Sequence, residues 1–186
     1  MTARPAVFLD RDGTIVHDVH YLARPEQLRL IEGAVEAMAR LSAAGLPLIV
    51  VTNQSGIGRG MFSETDFAGI TARLDEMLAA HGVTLTATYH CPDAPDVPEA
   101  LSCRKPGDHM HQRAAREHGL DLRQSFYIGD KWRDVAPAVT HEALGILVPT
   151  SDTPFADMTR AKDDAIVATT LGAAVDRVLR RLQSRG

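Results

Sequence analysis

Two aspartates, Asp10 and Asp12, follow directly on the apolar run Val7-Phe8-Leu9 in the stretch AVFLDRDGTI. If that run is a strand, side chains two positions apart face the same side, so the carboxylates leave its end roughly 6–7 Å apart. At that separation, with an effective dielectric near 20, they repel by about 2–3 kcal/mol. Such a pair calls for a cation beside it, or for one partner protonated part of the time. Two further apolar runs end in polar clusters. Leu48-Ile49-Val50-Val51 opens into Thr52-Asn53-Gln54-Ser55-Gly56, a set of hydroxyl and amide donors suited to phosphate, with a glycine that permits close backbone approach. Phe126-Tyr127-Ile128 opens into Gly129-Asp130-Lys131-Trp132-Arg133-Asp134, which returns carboxylates to the same edge. Asp10, Asp12 and Asp130 together make an oxygen-rich site for a hard cation such as Mg²⁺.

The elements that must hold these groups are short β-rich runs alternating with amphipathic helical patterns. Strands are expected at Ala6–Asp10, Leu46–Thr52, Thr86–His90, Phe126–Asp130 and Ile146–Pro149, with a shorter one near Ala165–Ala168. Most are continuously apolar, as in a parallel sheet covered on both faces. Helical spacing over Gly33–Ala44 stops at Gly45, and a second helix is capped by Ser63, with Asp66 in its first turn. Phe67, Ile70, Leu74, Met77 and Leu78 form its apolar stripe, which ends before His81-Gly82. The β-then-α order implies right-handed crossovers and a doubly wound, three-layer α/β sheet of Rossmann-like form, with ligands bound beyond the carboxyl ends of the strands.

Bulk composition bounds the function. A chain of 186 residues, 45% hydrophobic, is long enough for one domain with a full core, and a single domain over residues 1–186 is expected. Twenty basic against 24 acidic residues give a net charge of −4, so nucleic acid is not expected as an obligatory partner. No apolar run reaches membrane-spanning length and the first residues lack a signal-like apolar stretch, so a cytoplasmic monomer without membrane association is expected. Two cysteines, Cys91 and Cys103, are too few for a disulfide scaffold and suit a reducing compartment.

The strings DRDGT, VTNQSG, RKP and GDKWRD, in this order, resemble the four motifs of the haloacid dehalogenase-like phosphohydrolases. More narrowly, FLDRDGTI, VVTNQSGIGRG, CRKP and IGDKWRD are similar to the small D-glycero-D-manno-heptose 1,7-bisphosphate 7-phosphatases and the related histidinol-phosphate phosphatases. The likeness runs from Ala6 to about Val148. It implies a Mg²⁺-dependent phosphomonoesterase in which Asp10 attacks phosphorus and Asp12 protonates the departing oxygen, then takes a proton from water. Mg²⁺ would be held by the Asp10 side chain, the Asp12 carbonyl and Asp130, with Asp134 behind it orienting metal-bound water or Lys131. Thr52 and Asn53 would hold phosphoryl oxygens, while Lys105 would face phosphate and nucleophile.

Members of this family often insert a cap domain after the first or third strand. Arg11–Gly45 and Cys91–Ser125 are each about 35 residues and must already contain a helix, so no cap is expected. Substrate recognition then falls to loops, where Arg59, Arg104 and Lys131 are candidate contacts for a phosphorylated sugar, and His17, His20 and Tyr21 could line the entrance. His109, His111, His118 and His141 read as surface or helix residues. Removal of the 7-phosphate of a heptose 1,7-bisphosphate is the favoured reaction, with histidinol phosphate and, further off, a polynucleotide 3′-phosphate as alternatives. A non-catalytic binding module is disfavoured because every motif position is intact. Between Cys91 and Cys103 many relatives carry a zinc held by Cys-x-His and Cys-x-Cys. Asp93 and Leu101 replace two of those ligands, so Zn²⁺ is not expected at Cys91 and Cys103, which should be reduced thiols.

Overall fold

The computed structural model describes residues 3–184. Six strands, β1 (Val7–Leu9), β2 (Leu48–Asn53), β3 (Ala87–Cys91), β4 (Phe126–Gly129), β5 (Leu144–Leu147) and β6 (Ile166–Val167), form one sheet in the order β3-β2-β1-β4-β5-β6. Every pairing is parallel, with Leu9 opposite Val50 on one side and Ile128 on the other. The chain winds outward from β1 in both directions, so β1 is the topological switch point, and the crevice beyond its carboxyl end receives the ends of β2 and β4.

Among the described residues seven helices accompany the sheet: α1 (Ala34–Ala43), α2 (Ser55–Gly58), α3 (Glu64–Ala79), α4 (His109–His118), α5 (Trp132–Thr140), α6 (Phe155–Asp164) and α7 (Leu171–Gln183). Strand alternation divides the core. Val7, Leu9, Leu48, Val50, Phe126 and Ile128 pack toward α1, α3 and α7. Phe8, Ile49, Val51 and Tyr127 pack toward α4 and α5, and Leu147 joins Trp132, Val135 and Ala161 beneath α6. Strands buried on both faces explain why the sequence runs are continuously apolar. Between β1 and β2 the chain holds a 3₁₀ turn and α1, and between β3 and β4 a 3₁₀ turn and α4, so no cap domain is present among the described residues.

Local signals act as expected at α3, where Ser63 Oγ accepts from Asp66 N at 3.1 Å and Asp66 Oδ2 accepts from Ser63 N at 2.8 Å. β5 begins two residues earlier than its sequence suggested, taking in Gly145. A Cβ there would sit 3.2 Å from both Ala138 Cβ and Val135 O, so this glycine marks the close approach of α5 to the strand rather than a turn.

Candidate active site

Asp10 leaves β1 with its backbone N bonded to Ile128 O at 2.9 Å, which fixes the loop against β4. Lys105 Nζ reaches it from another segment, 2.6 Å from Asp10 Oδ1 and 2.8 Å from Asp134 Oδ1. Lysine and both carboxylates are buried. Burial pushes Asp10 up to about 7; Lys105 opposes the rise, while Asp134, Asp130 and Asp12 add to it. Burial also raises Asp130, to about 6, reinforced by Asp134 and countered by Lys131. Asp134 is buried too, which alone would raise it, yet Lys105 and Arg133 hold it below the ordinary range. Lys105 is raised, because attraction to Asp10 and Asp134 outweighs the burial that would discharge it.

The motif lysine is itself positioned by an amide. Asn53 Oδ1 accepts from Lys105 N at 3.0 Å and Asn53 Nδ2 donates to Lys105 O at 3.1 Å. The Asn53 side chain, expected from the sequence to hold phosphoryl oxygens, thus clamps the backbone of residue 105 across 52 positions of chain. Thr52 is buried at the end of β2 and its hydroxyl accepts from Gln54 Nε2 at 2.7 Å. Asp134 Oδ2 accepts from Lys131 N at 3.0 Å, closing the first turn of α5, while Lys131 Nζ lies 2.8 Å from Asp130 Oδ2 and 3.9 Å from Asp18 Oδ2.

Oxygens of Asp10, Asp130 and Asp134 lie within 4.8 Å of one another. Among the described residues Asp130 Oδ1 is buried with no hydrogen-bond partner, and burial raises Asp10 and Asp130 more than Lys105 and Lys131 lower them. A hard divalent cation would supply what these groups lack, and the all-oxygen donor set fits Mg²⁺. Gly13, at φ +83°, keeps the place clear: a Cβ there would fall 2.6 Å from Asp130 Oδ2.

Above the cluster lies a cleft of about 300 Å³, lined by Asp10, Asp12, Thr52 and Asn53 at its base. Arg59, Arg104, Lys131 and Arg133 also line it, with Asp18, His20 and Tyr21. Arg59 Nη1 donates to Tyr21 Oη at 3.1 Å and Arg104 Nη1 to Asp93 O at 2.7 Å. Among the described residues neither guanidinium makes a salt bridge. Burial depresses Arg104, and Arg133 and Arg59 press it further in the same direction. Arg133 and Asp18 were missed in the sequence. Arg133 follows Lys131 by two positions, in the first turn of α5, and lines the cleft beside it.

Two other expectations change. Cys91 and Cys103 are not reduced thiols but form a disulfide, with Cα atoms 5.6 Å apart. The end of β3 turns Cys91 inward, and Asp93 Oδ2 draws the returning segment back by accepting from Cys103 N at 2.9 Å and Ser102 Oγ at 3.1 Å. Leu101, in place of a ligand, points to solvent at 79% exposed. His90 faces the other way, 2.8 Å from Glu64 and against Phe67. His111 is on a helix, as expected, but is buried, its ring centroid 5.0 Å from Phe8 and 5.2 Å from Tyr127. Burial and the nearby Lys105 charge drive it down to about 3, so it stays neutral.

Comparison with known proteins agrees with the fold. Residues 7–93 match the haloacid dehalogenase-like hydrolase family model and residues 102–174 a related HAD-hydrolase-like one. The D-glycero-beta-D-manno-heptose-1,7-bisphosphate 7-phosphatase of Photorhabdus laumondii is 45% identical over 139 residues, covering 72% of this chain and 74% of that protein. The protein of the same name from Yersinia pestis is 41% identical over 140 residues, covering 73% and 74%. The structure of the D,D-heptose 1,7-bisphosphate phosphatase from B. bronchiseptica, complexed with magnesium and phosphate, superimposes with a TM-score of 0.84 at 28% identity, covering 95% of this chain and 99% of that one.

Proposed function

Because the chain belongs to the haloacid dehalogenase-like phosphatases, we propose that it removes the 7-phosphate of a D-glycero-D-manno-heptose 1,7-bisphosphate through an aspartyl-phosphate intermediate. The observation that carries this reading is the pairing of a buried Asp10–Lys105–Asp134 cluster with a cleft whose lining includes Arg59, Arg104 and Arg133. A monophosphate needs only the base of such a cleft. Arg59 and Arg133 act on Arg104 as like charges across the cleft, a cationic wall that favours a substrate that brings a second phosphate. The names of the relatives point to the same substrate class.

In this reading Asp10 Oδ attacks phosphorus as the bond to the sugar oxygen breaks, and Asp12 gives that oxygen its proton. Asp12 then takes a proton from water as the water oxygen bonds to phosphorus and the Asp10–phosphorus bond breaks. Lys105 balances the charge of the nucleophile and of the phosphoryl oxygens, and the Thr52 hydroxyl donates to one of them. Asn53 keeps Lys105 aimed, and Lys131 with the arginines holds the distal part of the substrate. Mg²⁺, held by Asp10, the Asp12 carbonyl and Asp130 with Asp134 behind them, would supply the charge that lets an anionic ester approach a carboxylate and that steadies the transition state.

The test is phosphate release by the purified chain with Mg²⁺ from a panel holding the heptose 1,7-bisphosphate, histidinol phosphate and a 3′-phosphorylated oligonucleotide. The bisphosphate should give the highest kcat/KM. A value for histidinol phosphate ten times greater would overturn the assignment of substrate.

A further inference from the structure

Asp12 does not point freely into the cleft. The guanidinium of Arg11, 1% exposed and stacked 5.4 Å from the Phe67 ring centroid, grips it through Nε (3.1 Å to Oδ1, 3.2 Å to Oδ2) and Nη2 (2.9 Å to Oδ2). Gln54 Nε2 adds a contact of 2.9 Å to Oδ2 and at the same time lies 2.7 Å from Thr52 Oγ1. The carboxylate faces the amide as an acceptor, so it is the amide nitrogen that faces Asp12. That nitrogen has two protons, and the geometry sends one to each partner. Gln54 is buried, and its own backbone is pinned by Gln54 N donating to Cys91 O at 2.7 Å.

We propose that Gln54, backed by Arg11, is a positioning residue that sets two reacting groups with one amide: it aims the Thr52 hydroxyl proton at the phosphoryl group and holds Asp12 for proton exchange with the leaving oxygen. Having accepted from Gln54, Thr52 Oγ1 has its own proton left for the cleft, where the phosphoryl oxygens would lie. Asp12 Oδ2 carries three N–H contacts and Oδ1 one, so Oδ1 is the oxygen left to trade a proton. That proton passes to the sugar oxygen as its bond to phosphorus breaks, and an equivalent proton returns from the attacking water. The role rests on the aspartyl-phosphate reading above.

Leaving-group dependence separates positioning from mere support of the fold. An alkyl alkoxide needs the proton from Asp12, whereas p-nitrophenolate departs without it. With Mg²⁺ present, Gln54→Leu should lower kcat/KM for β-glycerol phosphate by about 100-fold but for p-nitrophenyl phosphate by less than about tenfold. The inhibition constant for inorganic phosphate should rise several-fold as Thr52 loses its orienting donor. Gln54→Glu keeps the shape and core filling, sets a carboxylate against Asp12, and should show the same selective loss. Equal losses on the two esters in a variant that melts like the wild type would overturn the positioning role while leaving the phosphatase reading intact. A wild-type protein that cleaves neither ester would overturn both.

Discussion

Replacing Lys105 by methionine tests the charge balance of the site directly. The ammonium lies 2.6 Å from Asp10 and 2.8 Å from Asp134, with its side chain 1% exposed. At an effective dielectric near 20 each contact is worth about 6 kcal/mol in gross Coulomb energy. Desolvation of the three ions offsets most of that, and loss of one partner from a buried pair costs about 3–5 kcal/mol net. For a chain of this size the loss corresponds to a fall in Tm of roughly 6–20 °C. The penalty depends on pH, with a sign fixed by Asp10. Its folded-state pKa, about 7, lies above its ordinary value of 3.8, so the folded protein binds a proton that the unfolded chain does not, and stability falls as pH rises from about 4 through 7. Without Lys105 the folded value climbs further, so the deficit of the variant is largest at pH 8 and shrinks by pH 6, where protonation relieves the cluster. Thermal melts of metal-free wild type and Lys105→Met at pH 6 and pH 8 measure this. A Tm difference under about 2 °C at pH 8, or one that grows toward pH 6, would refute the view that Lys105 neutralises the buried carboxylates.

Three further outcomes follow from the same geometry. Asp10→Asn should abolish phosphate release under saturating Mg²⁺, whereas Asp12→Asn should slow it by about 10²–10⁴-fold while leaving the fold intact, as single-turnover kinetics and melts will read. Mg²⁺ must displace protons from Asp10 and Asp130, raised to about 7 and 6, so its affinity should drop as pH falls from 8 to 5.5, with proton release detectable by calorimetry in buffers of different ionisation enthalpy. Native protein should show no free thiol before reduction and two after it, and reduction should lower stability by about 3 kcal/mol, the value for a closed loop of this length. Two titratable thiols in the unreduced native protein would refute the bridge.

What the sequence disclosed was what local pattern controls. Six apolar runs became six strands in one parallel sheet, the Ser63 cap and the Gly45 stop were found, and Thr52, Lys105 and Asp130 gather around Asp10, because strand ends and motif order depend on nearby residues. What remained hidden depends on distance in space. Nothing near Asn53 announces that its amide will be taken by residue 105, and no spacing rule gives the 5.6 Å between the Cα atoms of Cys91 and Cys103. Charged residues are usually exposed, so Arg11 reads as solvated in a sequence, yet it is sealed beneath Phe67 because Asp12 partners it. The burial of His111 was hidden similarly: its aromatic neighbours, Phe8 and Tyr127, are paired across β1 and β4 but lie far apart in the sequence.

The strand order gives the enzyme a property that lies outside catalysis. With β1 between β2 and β4, Asp10 and Lys105 meet across 95 residues, and no contiguous third of the chain holds both. Pairing β1 with β4 requires closing a long loop, a slow and entropically costly event in a parallel sheet. Activity therefore reports completion of folding rather than collapse or helix formation. It also makes the exposed stretch around Leu101, beyond the second motif and before the third, a natural point at which to divide the chain. Produced as separate reduced chains, neither fragment would carry a working centre, and regained phosphatase turnover on mixing would measure reassembly of the sheet, with the Cys91–Cys103 bridge closing across the cut.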